Sequence, residues 1–361
     1  MKILLIYASA GAGHMRAAEA VYNGIKTSSE HEIFFVDALD YCLPIFRQLY
    51  QKIYCSLVSQ INWLWGWIFN FTDKNSLQPI IKLIKRGYNL LTAPALHRFL
   101  QEEKFDYIIS THFMPMEISA ALKEKGLINS KIITIITDFD VHRIWVNKGV
   151  DIYAVACDWT KQKLISLGIE EDKIVVTGVP TDERFSACPD VVELKKKLGL
   201  KLDVFTVLIA TGTFGVGPIE ELVEALKGFQ IIVICGKNET LYHRLREKRY
   251  ELVNVHALVD NMHELMAVSD AIITKPGGLT ISEALVSQLP LIFFNPIPGQ
   301  ETNNIKVLKR YGIGINGGSV QDIVNELQKM NSSRDIYLST VNKSRNLARP
   351  FAVKDILSLI K

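Results

Sequence analysis

Short, uninterrupted apolar runs that end in glycine or polar turns recur along this chain and leave it few folds to adopt. Ile3–Tyr7 is one such run, closed by Ala8-Ser9-Ala10-Gly11. A run this short with no polar alternation reads as a strand buried on both faces. Similar runs stand at Ile33–Val36, Tyr107–Ile109, Ile132–Ile136 and Ile152–Val155, separated by helical patterns. A second series comprises Val204–Ala210, Ile231–Cys235, Ala271–Thr274 and Leu291–Phe294. Strands alternating with helices imply an α/β fold with parallel, doubly wound sheets. At 361 residues the chain has the length for two ordinary domains. Gly178-Val179-Pro180-Thr181 and Cys188-Pro189 punctuate the interval between the series. The expected division is therefore 1–185 and 200–338, joined by a linker around 180–200, with 339–361 as a C-terminal segment that turns helical after Pro350.

Hydrophobic residues make up 48% and charged residues 22% of the chain, which places it among folding globular proteins and excludes a disordered one. The net charge is only +3, but it is unevenly spread. Between Pro44 and Leu100, Arg47, Lys52, Lys74, Lys82, Lys85, Arg86 and Arg98 face Asp73 alone, a local +6 that leaves −3 for the remainder. A basic segment in the first domain beside a slightly acidic remainder points to a polyanionic surface as partner, and no nucleic acid is expected. Cys42, Cys55, Cys157, Cys188 and Cys235 are odd in number, far apart and without a C-x-x-C pair, so neither a zinc ribbon nor a disulfide framework is supported. They read as buried reduced thiols. Met1-Lys2 leads directly into a strand with no leader pattern, so the expected location is the compartment of synthesis.

The stretch Thr274–Asn304, TKPGGLTISEALVSQLPLIFFNPIPGQETNN, carries the densest chemistry. An apolar run breaks at Pro276-Gly277-Gly278, enters a helical pattern, crosses a second apolar run and ends in a Pro/Gly-rich polar loop. Two glycines between strand and helix let backbone N–H groups approach a phosphate, where the helix N-terminus adds its positive dipole. Thr280 can add a hydroxyl, and Glu283, one helical turn further on, is spaced to reach a ribose diol. Gln300, Glu301 and Asn304 cluster on a loop rich in hydrogen-bonding groups and poor in metal ligands. The pattern suits a nucleoside diphosphate bearing a polyol such as a sugar. An ordinary strand-to-helix turn would account for the glycines but not for the spaced Glu, Gln, Glu and Asn.

Two further constellations lie in the first half. Gly11-Ala12-Gly13-His14 follows the first strand, but Arg16 stands where a dinucleotide fingerprint needs its third glycine, so NAD binding is weakly supported. The turn would set His14 at the carboxyl edge of the sheet, where open α/β sheets bind ligands. A helix N-terminus disfavours a charged imidazole, which suits a neutral base, although His14 could simply cap its own helix. Thr137-Asp138-Phe139-Asp140 precedes His142 and Trp145. Its D-x-D would hold a divalent metal on a diphosphate, but it follows a first-series strand while the diphosphate stretch lies in the second. Thr211-Gly212-Thr213-Phe214-Gly215 and Cys235-Gly236-Lys237-Asn238 end two second-series strands.

Ile53–Thr72 has twenty uncharged residues and includes Trp63, Trp65 and Trp67. Its length approaches a membrane span, but Ser56, Ser59, Gln60, Asn62, Gly66 and Asn70 make it a poor one. Ile53, Leu57, Ile61, Leu64 or Trp65, and Ile68 recur at helical spacing as one apolar stripe. Tryptophan favours the headgroup zone and nearby Lys82, Lys85 and Arg86 would attract anionic lipid. Reversible interfacial binding is the expectation; a buried core helix or an oligomer contact is the alternative.

P-G-G-x-T-x-x-E-A-x followed by N-P-I-P-G-Q-E-x-x-N resembles the donor signature of family 28 glycosyltransferases, within it the diacylglycerol glucosyl- and galactosyltransferases of the monogalactosyldiacylglycerol synthase type. The G-x-G-H-x-x-A turn and the T-D-F-x-x-H-x-x-W run are similar to that branch, and the resemblance spans nearly the whole chain. It implies a GT-B architecture, two Rossmann-like domains facing across a cleft, with the C-terminal helix returning to the first. It implies an inverting transfer of a hexose from UDP-glucose or UDP-galactose to diacylglycerol at the cytoplasmic face of a membrane, with no cofactor and no metal. Gly212, Thr213, Gly277, Gly278 and Thr280 would hold the diphosphate and Glu283 the ribose. Gln300 and Glu301 would read sugar hydroxyls, and Asn304 would support their loop. Gly13, His142 and Trp145 would lie on the acceptor side, and His14 would be the base, with Asp138 as its rival or orienter. Threonine at 211 and 213, where relatives usually carry glycine, leaves the detail of that phosphate contact open. The runner-up is N-acetylglucosamine transfer to a polyprenyl-linked acceptor; a UDP-sugar sensor without turnover is the non-enzymatic alternative. Glucose versus galactose and the oligomeric state stay open.

Overall fold

A computed structural model describes residues 1–9, 11–45, 47–49, 62–75, 87 and 92–361. The chain divides into two compact units: 1–182 with 297–303 and 351–361, and 183–296 with 304–350.

In the first unit the described strands are β1 (Lys2–Tyr7), β2 (Glu32–Asp37), β3 (Tyr107–Ser110), β4 (Lys131–Ile135), β5 (Ile152–Val155) and β6 (Ile174–Val176). All pair in parallel, in the order β2-β1-β3-β4-β5-β6. The apolar runs have no polar face because both sides of this sheet are covered. Leu4, Ile6 and Ile108 pack on one side with Leu96, Leu100 and Met114. Ile3, Leu5, Ile109 and Ile133 pack on the other with Val21, Ile25 and Ile356. Ile356 belongs to the C-terminal helix Ala352–Leu357, which lies on the first helix, Ala12–Ser28. Gly24 permits that approach, since a Cβ there would collide with Val353. The terminus is tied by Tyr107, whose hydroxyl donates to the Lys361 carbonyl at 2.8 Å.

The second unit repeats the plan with β7 (Thr206–Ala210), β8 (Gln230–Ile234), β9 (Val253–His256), β10 (Ala271–Thr274), β11 (Leu291–Phe293) and β12 (Ile315–Asn316). These strands are also parallel, in the order β12-β11-β10-β7-β8-β9. Three strands absent from the apolar-run reading, β6, β9 and β12, all sit at sheet edges. β9 is only half buried along its length and β12 spans two residues, so neither shows a long apolar run.

The interval 180–200 is more structured than a linker. It holds a 3-10 turn at Glu183–Ser186 and a helix, Val191–Lys197, capped by Asp190 through the N–H groups of Val192 and Glu193. Leu194 is buried, and Asn254 donates to the Leu198 carbonyl at 2.9 Å, so the helix is docked on the second unit. Among the cysteines, Cys42, Cys157 and Cys235 are buried, but Cys188 is exposed, because it follows the 3-10 turn on an open stretch. Cys55 lies outside the described residues.

In each unit strand order reverses next to the first strand, between β1 and β3 and between β7 and β10. At such a point consecutive connections leave in opposite directions and open a crevice at the carboxyl edge.

Candidate functional site

The β1/β3 crevice is built from residues that follow three adjacent strands. His14 lies in the first turn of the helix after β1, Thr111 and His112 directly follow β3, and Thr137 follows β4. His14 Nδ1 is 2.6 Å from the Thr111 carbonyl and 3.1 Å from the Thr137 hydroxyl, while the Thr111 hydroxyl donates to the His14 carbonyl at 2.9 Å. The His112 ring meets His14 edge-on, 4.8 Å between centroids, and Trp145 approaches from 6.4 Å. Burial lowers the His14 pKa to about 4 against the partly opposing Thr111 hydrogen bond. The ring is therefore neutral at pH 7. A carbonyl can only accept, so the single ring proton sits on Nδ1 and Nε2 keeps its lone pair. His112 is held in the opposite sense: its Nδ1 accepts from Met114 N–H at 3.1 Å, capping helix Phe113–Glu124. Burial, then the neighbouring His14, pushes the His112 pKa well down. The neutral state of His14 thus comes chiefly from burial, a cause unlike the helix dipole invoked from sequence, and Thr111 makes the orienting bond offered above to Asp138.

Asp138 is buried and accepts a hydrogen bond from Gln300 Nε2 at 2.6 Å. Asp140 faces Lys163, with both oxygens at 2.8 and 2.9 Å from its ammonium. The D-x-D carboxylates therefore take separate partners. Among the described residues no cluster of three His, Cys, Asp or Glu could hold a metal. His142 spends both nitrogens on structure. Nδ1 accepts from Ile144 N–H at 3.0 Å, so Nε2 carries the proton and donates to the Phe69 carbonyl at 2.9 Å. Trp145 is buried, with its ring edge-on to Phe113. His142 and Trp145 thus act as brackets of this crevice, and Gly13 precedes His14 in the same helical turn.

Phe69 belongs to helix Asn62–Thr72, whose two sides differ. Trp63, Trp67 and Phe71 are exposed by 68, 59 and 40%, with Trp67 and Phe71 stacked at 5.0 Å. Lys74 lies 5.4 Å over the Phe71 ring. Leu64, Trp65 and Ile68 are partly covered and Gly66 is buried against Pro298. The residues expected to form the apolar stripe are the covered ones; the outward stripe is aromatic. Residues 53–61, and with them Ile53, Leu57 and Ile61, lie outside the described residues, as do Lys82, Lys85 and Arg86. No described helix is long and apolar enough to cross a membrane.

At the β7/β10 crevice of the second unit, Gly212 adopts φ +88°, a left-handed turn that favours glycine. The turn after β7 interlocks with the turn after β8. Lys237 N–H donates to the Thr213 carbonyl at 2.8 Å and Asn238 Nδ2 to the Gly215 carbonyl at 3.1 Å. A Cβ at Gly215 would strike the Cys235 carbonyl, and one at Gly236 the Thr213 carbonyl. The Cys235–Asn238 turn therefore shapes the loop carrying Gly212 and Thr213. Thr211 Oγ1 is buried without a hydrogen-bond partner among the described residues. Across the crevice, Thr274 Oγ1 ties the end of β10 to Ala210 at 2.7 Å. Gly277 caps helix Gly278–Val286, on which Thr280 and Glu283 are half buried. Fully buried Asn304 donates to the Pro276 carbonyl at 3.0 Å and so fixes this turn.

The segment 297–303 belongs to the first unit. Glu301 accepts from Ile297 N–H at 2.7 Å, closing the loop on itself, and Gly299 at φ +92° sits against the Phe69 ring. Glu301 is thus engaged in holding its own loop, and Gln300 heads helix Gln300–Arg310. Sequence reading missed Thr111 and His112. Their position straight after the Tyr107–Ile109 run was the available signal, since ligand groups follow strand ends.

Residues 14–181 match the family model of monogalactosyldiacylglycerol (MGDG) synthase, and residues 206–348 that of the glycosyltransferase family 28 C-terminal domain. A processive diacylglycerol beta-glucosyltransferase of Bacillus pumilus (strain SAFR-032) is 31% identical, covering 91% of this chain and 86% of the relative. The protein of the same name from Bacillus cereus (strain B4264) is 29% identical, covering 93% and 90%. Among solved structures, Acinetobacter baumannii MurG superposes with a TM-score of 0.63 at 15% identity over 99% and 98% of the two chains. Anabaena Alr3699/HepE in complex with UDP does so at 0.59 and 14% over 100% and 99%. The architecture is that of GT-B proteins.

Proposed function

Since the chain belongs to the diacylglycerol glycosyltransferase branch of glycosyltransferase family 28, we propose that it transfers a hexose from a UDP-hexose to diacylglycerol with inversion at the anomeric carbon. The observation that carries the mechanism is the fixed tautomer of His14. Its Nδ1 proton is committed to Thr111, so Nε2 is the atom that takes the proton from the attacking hydroxyl. A base held neutral by burial is ready at physiological pH and needs no prior deprotonation. The helix N-terminus opened by the Gly277-Gly278 turn supplies N–H groups to the diphosphate, the Gly277 N–H itself being held by the Lys275 carbonyl at 2.9 Å, with Gly212, Thr213 and Thr280 assisting. Those N–H groups stabilise the charge on the departing UDP, so the reading calls for neither a metal nor a cofactor. Glu283 binds the ribose, and Gln300 reads the sugar.

Glucose is the donor hexose favoured here, because the relatives at 29–31% identity are named glucosyltransferases. The acceptor surface is the aromatic face of helix Asn62–Thr72. Trp63, Trp67 and Phe71 would enter the headgroup zone from the cytoplasmic side while Lys74 and the basic 44–100 segment meet anionic lipid. The test measures UDP release from UDP-glucose and UDP-galactose with diacylglycerol vesicles, with vesicles lacking diacylglycerol and with a polyprenyl acceptor. Diacylglycerol-dependent release with a glycolipid product is expected, greatest for UDP-glucose. Release with the polyprenyl acceptor alone would overturn the acceptor, and no release under any condition would overturn the activity.

A further inference from the structure

The open question at the β1/β3 crevice is what Asp138, the first acid of the T-D-F-D run, does once His14 has its own partners. Asp138 is buried, and its Oδ2 receives the Gln300 amide N–H at 2.6 Å, a short contact of the charge-assisted kind. Gln300 is held there by more than this bond. Pro298 packs on Gly66 so closely that a Cβ on Gly66 would collide with it. Gly299 packs on the Phe69 ring, and Glu301 closes the loop by accepting from Ile297 N–H. The backbone of the loop is thus seated independently of Asp138, and the carboxylate acts on the one feature left undecided, which way the Gln300 amide faces.

An amide presents two donors on nitrogen and an acceptor on oxygen, and rotation by half a turn exchanges them. A carboxylate can only accept, so Asp138 allows one orientation: Nε2 toward itself and Oε1 away. We propose that Asp138 is a positioning residue that sets the polarity of Gln300, so that Gln300 presents an oxygen to the donor sugar and recognises a hydroxyl by accepting its proton. Asp138 then acts on donor binding through Gln300, and proton removal belongs to His14. This rests on the assignment of Gln300 as a sugar reader under the proposed function.

Kinetics and calorimetry of Asp138→Ala, Asp138→Asn and Gln300→Ala, each checked for an unchanged circular-dichroism spectrum and melting temperature, test it. For Asp138→Ala the KM for UDP-glucose rises about tenfold to a hundredfold, the scale of one hydrogen bond to a charged group. The fall in kcat is smaller, and the pH dependence of kcat keeps its shape. Asp138→Asn recovers much of the KM, because its amide oxygen still accepts from Gln300. Adding Asp138→Ala to Gln300→Ala costs little more, because both changes remove one interaction. If Asp138 were the base, Asp138→Asn would leave KM near the parent value and lower kcat about a hundredfold or more, which overturns the proposal. Calorimetry separates this outcome from failure of the proposed reaction, since it needs no turnover. Asp138→Ala must weaken UDP-glucose while sparing UDP; equal weakening of both, or of neither, overturns the assignment.

Discussion

At the β1/β3 edge the polar groups around His14 find partners inside the protein, whereas at the β7/β10 edge one buried hydroxyl stays unpartnered among the described residues and the turn at Gly277 borders open space. His14 Nδ1, the Thr111 carbonyl and hydroxyl, and His112 Nδ1 are each hydrogen-bonded within the first unit. In the second unit Thr211 Oγ1 has no partner among the described residues, and a Cβ on Gly277 would meet nothing within 4 Å. Both edges come from one topology, a parallel sheet whose order reverses beside its first strand. The same crevice is thus finished in two ways. One edge fixes a proton on a chosen atom before any ligand arrives. The other opens a helix N-terminus beside free space, the kind of place where backbone N–H groups bind anions.

The largest effect should come from breaking the preassembled edge. His14→Ala is expected to lower kcat by about 10²- to 10⁴-fold with a smaller change in donor KM, read from UDP release in saturating diacylglycerol vesicles. Full activity in this variant would remove His14 from the mechanism. The pH dependence sharpens the same point. With its pKa lowered from 6.5 to about 4 by burial, His14 should give kcat/KM an acid limb near pH 4 and a level region above it. An acid limb near 6.5 would mean that the ring is solvated. Stability follows with a definite sign. The folded protein binds fewer protons at His14 than the unfolded chain between pH 6.5 and about 4, so stability rises with pH through that window. It is fully present above 6.5 and is lost as pH falls toward 4. Histidine 112, also held neutral, adds in the same direction.

A smaller effect is expected where the second edge is tied to its own unit. Asn304→Ala would leave the buried Pro276 carbonyl without its donor, at a cost of about 1–3 kcal/mol in unfolding free energy by urea titration. The turn it fixes carries Gly277, so the donor KM should rise as well. A loss of stability with an unchanged KM would show that Asn304 supports the fold alone.

How much of this was legible beforehand follows from burial. Central strands announced themselves because both faces are covered and nearly every position is apolar, as in Ile3–Tyr7 and Ala271–Ile273. Edge strands β9 and β12 did not, because a half-covered or two-residue edge needs no continuous apolar run, and β6, although apolar, is only three residues long. His14 and the Gly277 turn could be found from local spacing. Thr111 and His112 were marked only by standing at a strand end; that they reach His14 depends on the pairing of β1 with β3, a contact across 97 residues between His14 and Thr111. The use of both His142 nitrogens inside the fold was equally hidden, because it depends on Phe69 lying 73 residues away.

The smallest change in stability should fall at Gly277, and it separates two reasons for a glycine. Gly215 is required by its own fold: φ is +53° and a Cβ would strike the Cys235 carbonyl. Gly215→Ala should therefore destabilise by several kcal/mol, the combined result of left-handed backbone and overlap. Gly277 has φ −73° and ψ 136°, an ordinary extended residue, with open space where its Cβ would go. Gly277→Ala should then change unfolding free energy by less than about 1 kcal/mol, with a slight gain the expected sign because the unfolded chain loses freedom. If a phosphate approaches this backbone, the added methyl must obstruct it, and calorimetry should find UDP binding weakened by about tenfold or more. An alanine variant that binds UDP as tightly as the parent would mean that the diphosphate lies elsewhere. The contrast between a preassembled edge and one completed by its ligand would then fail on the second side.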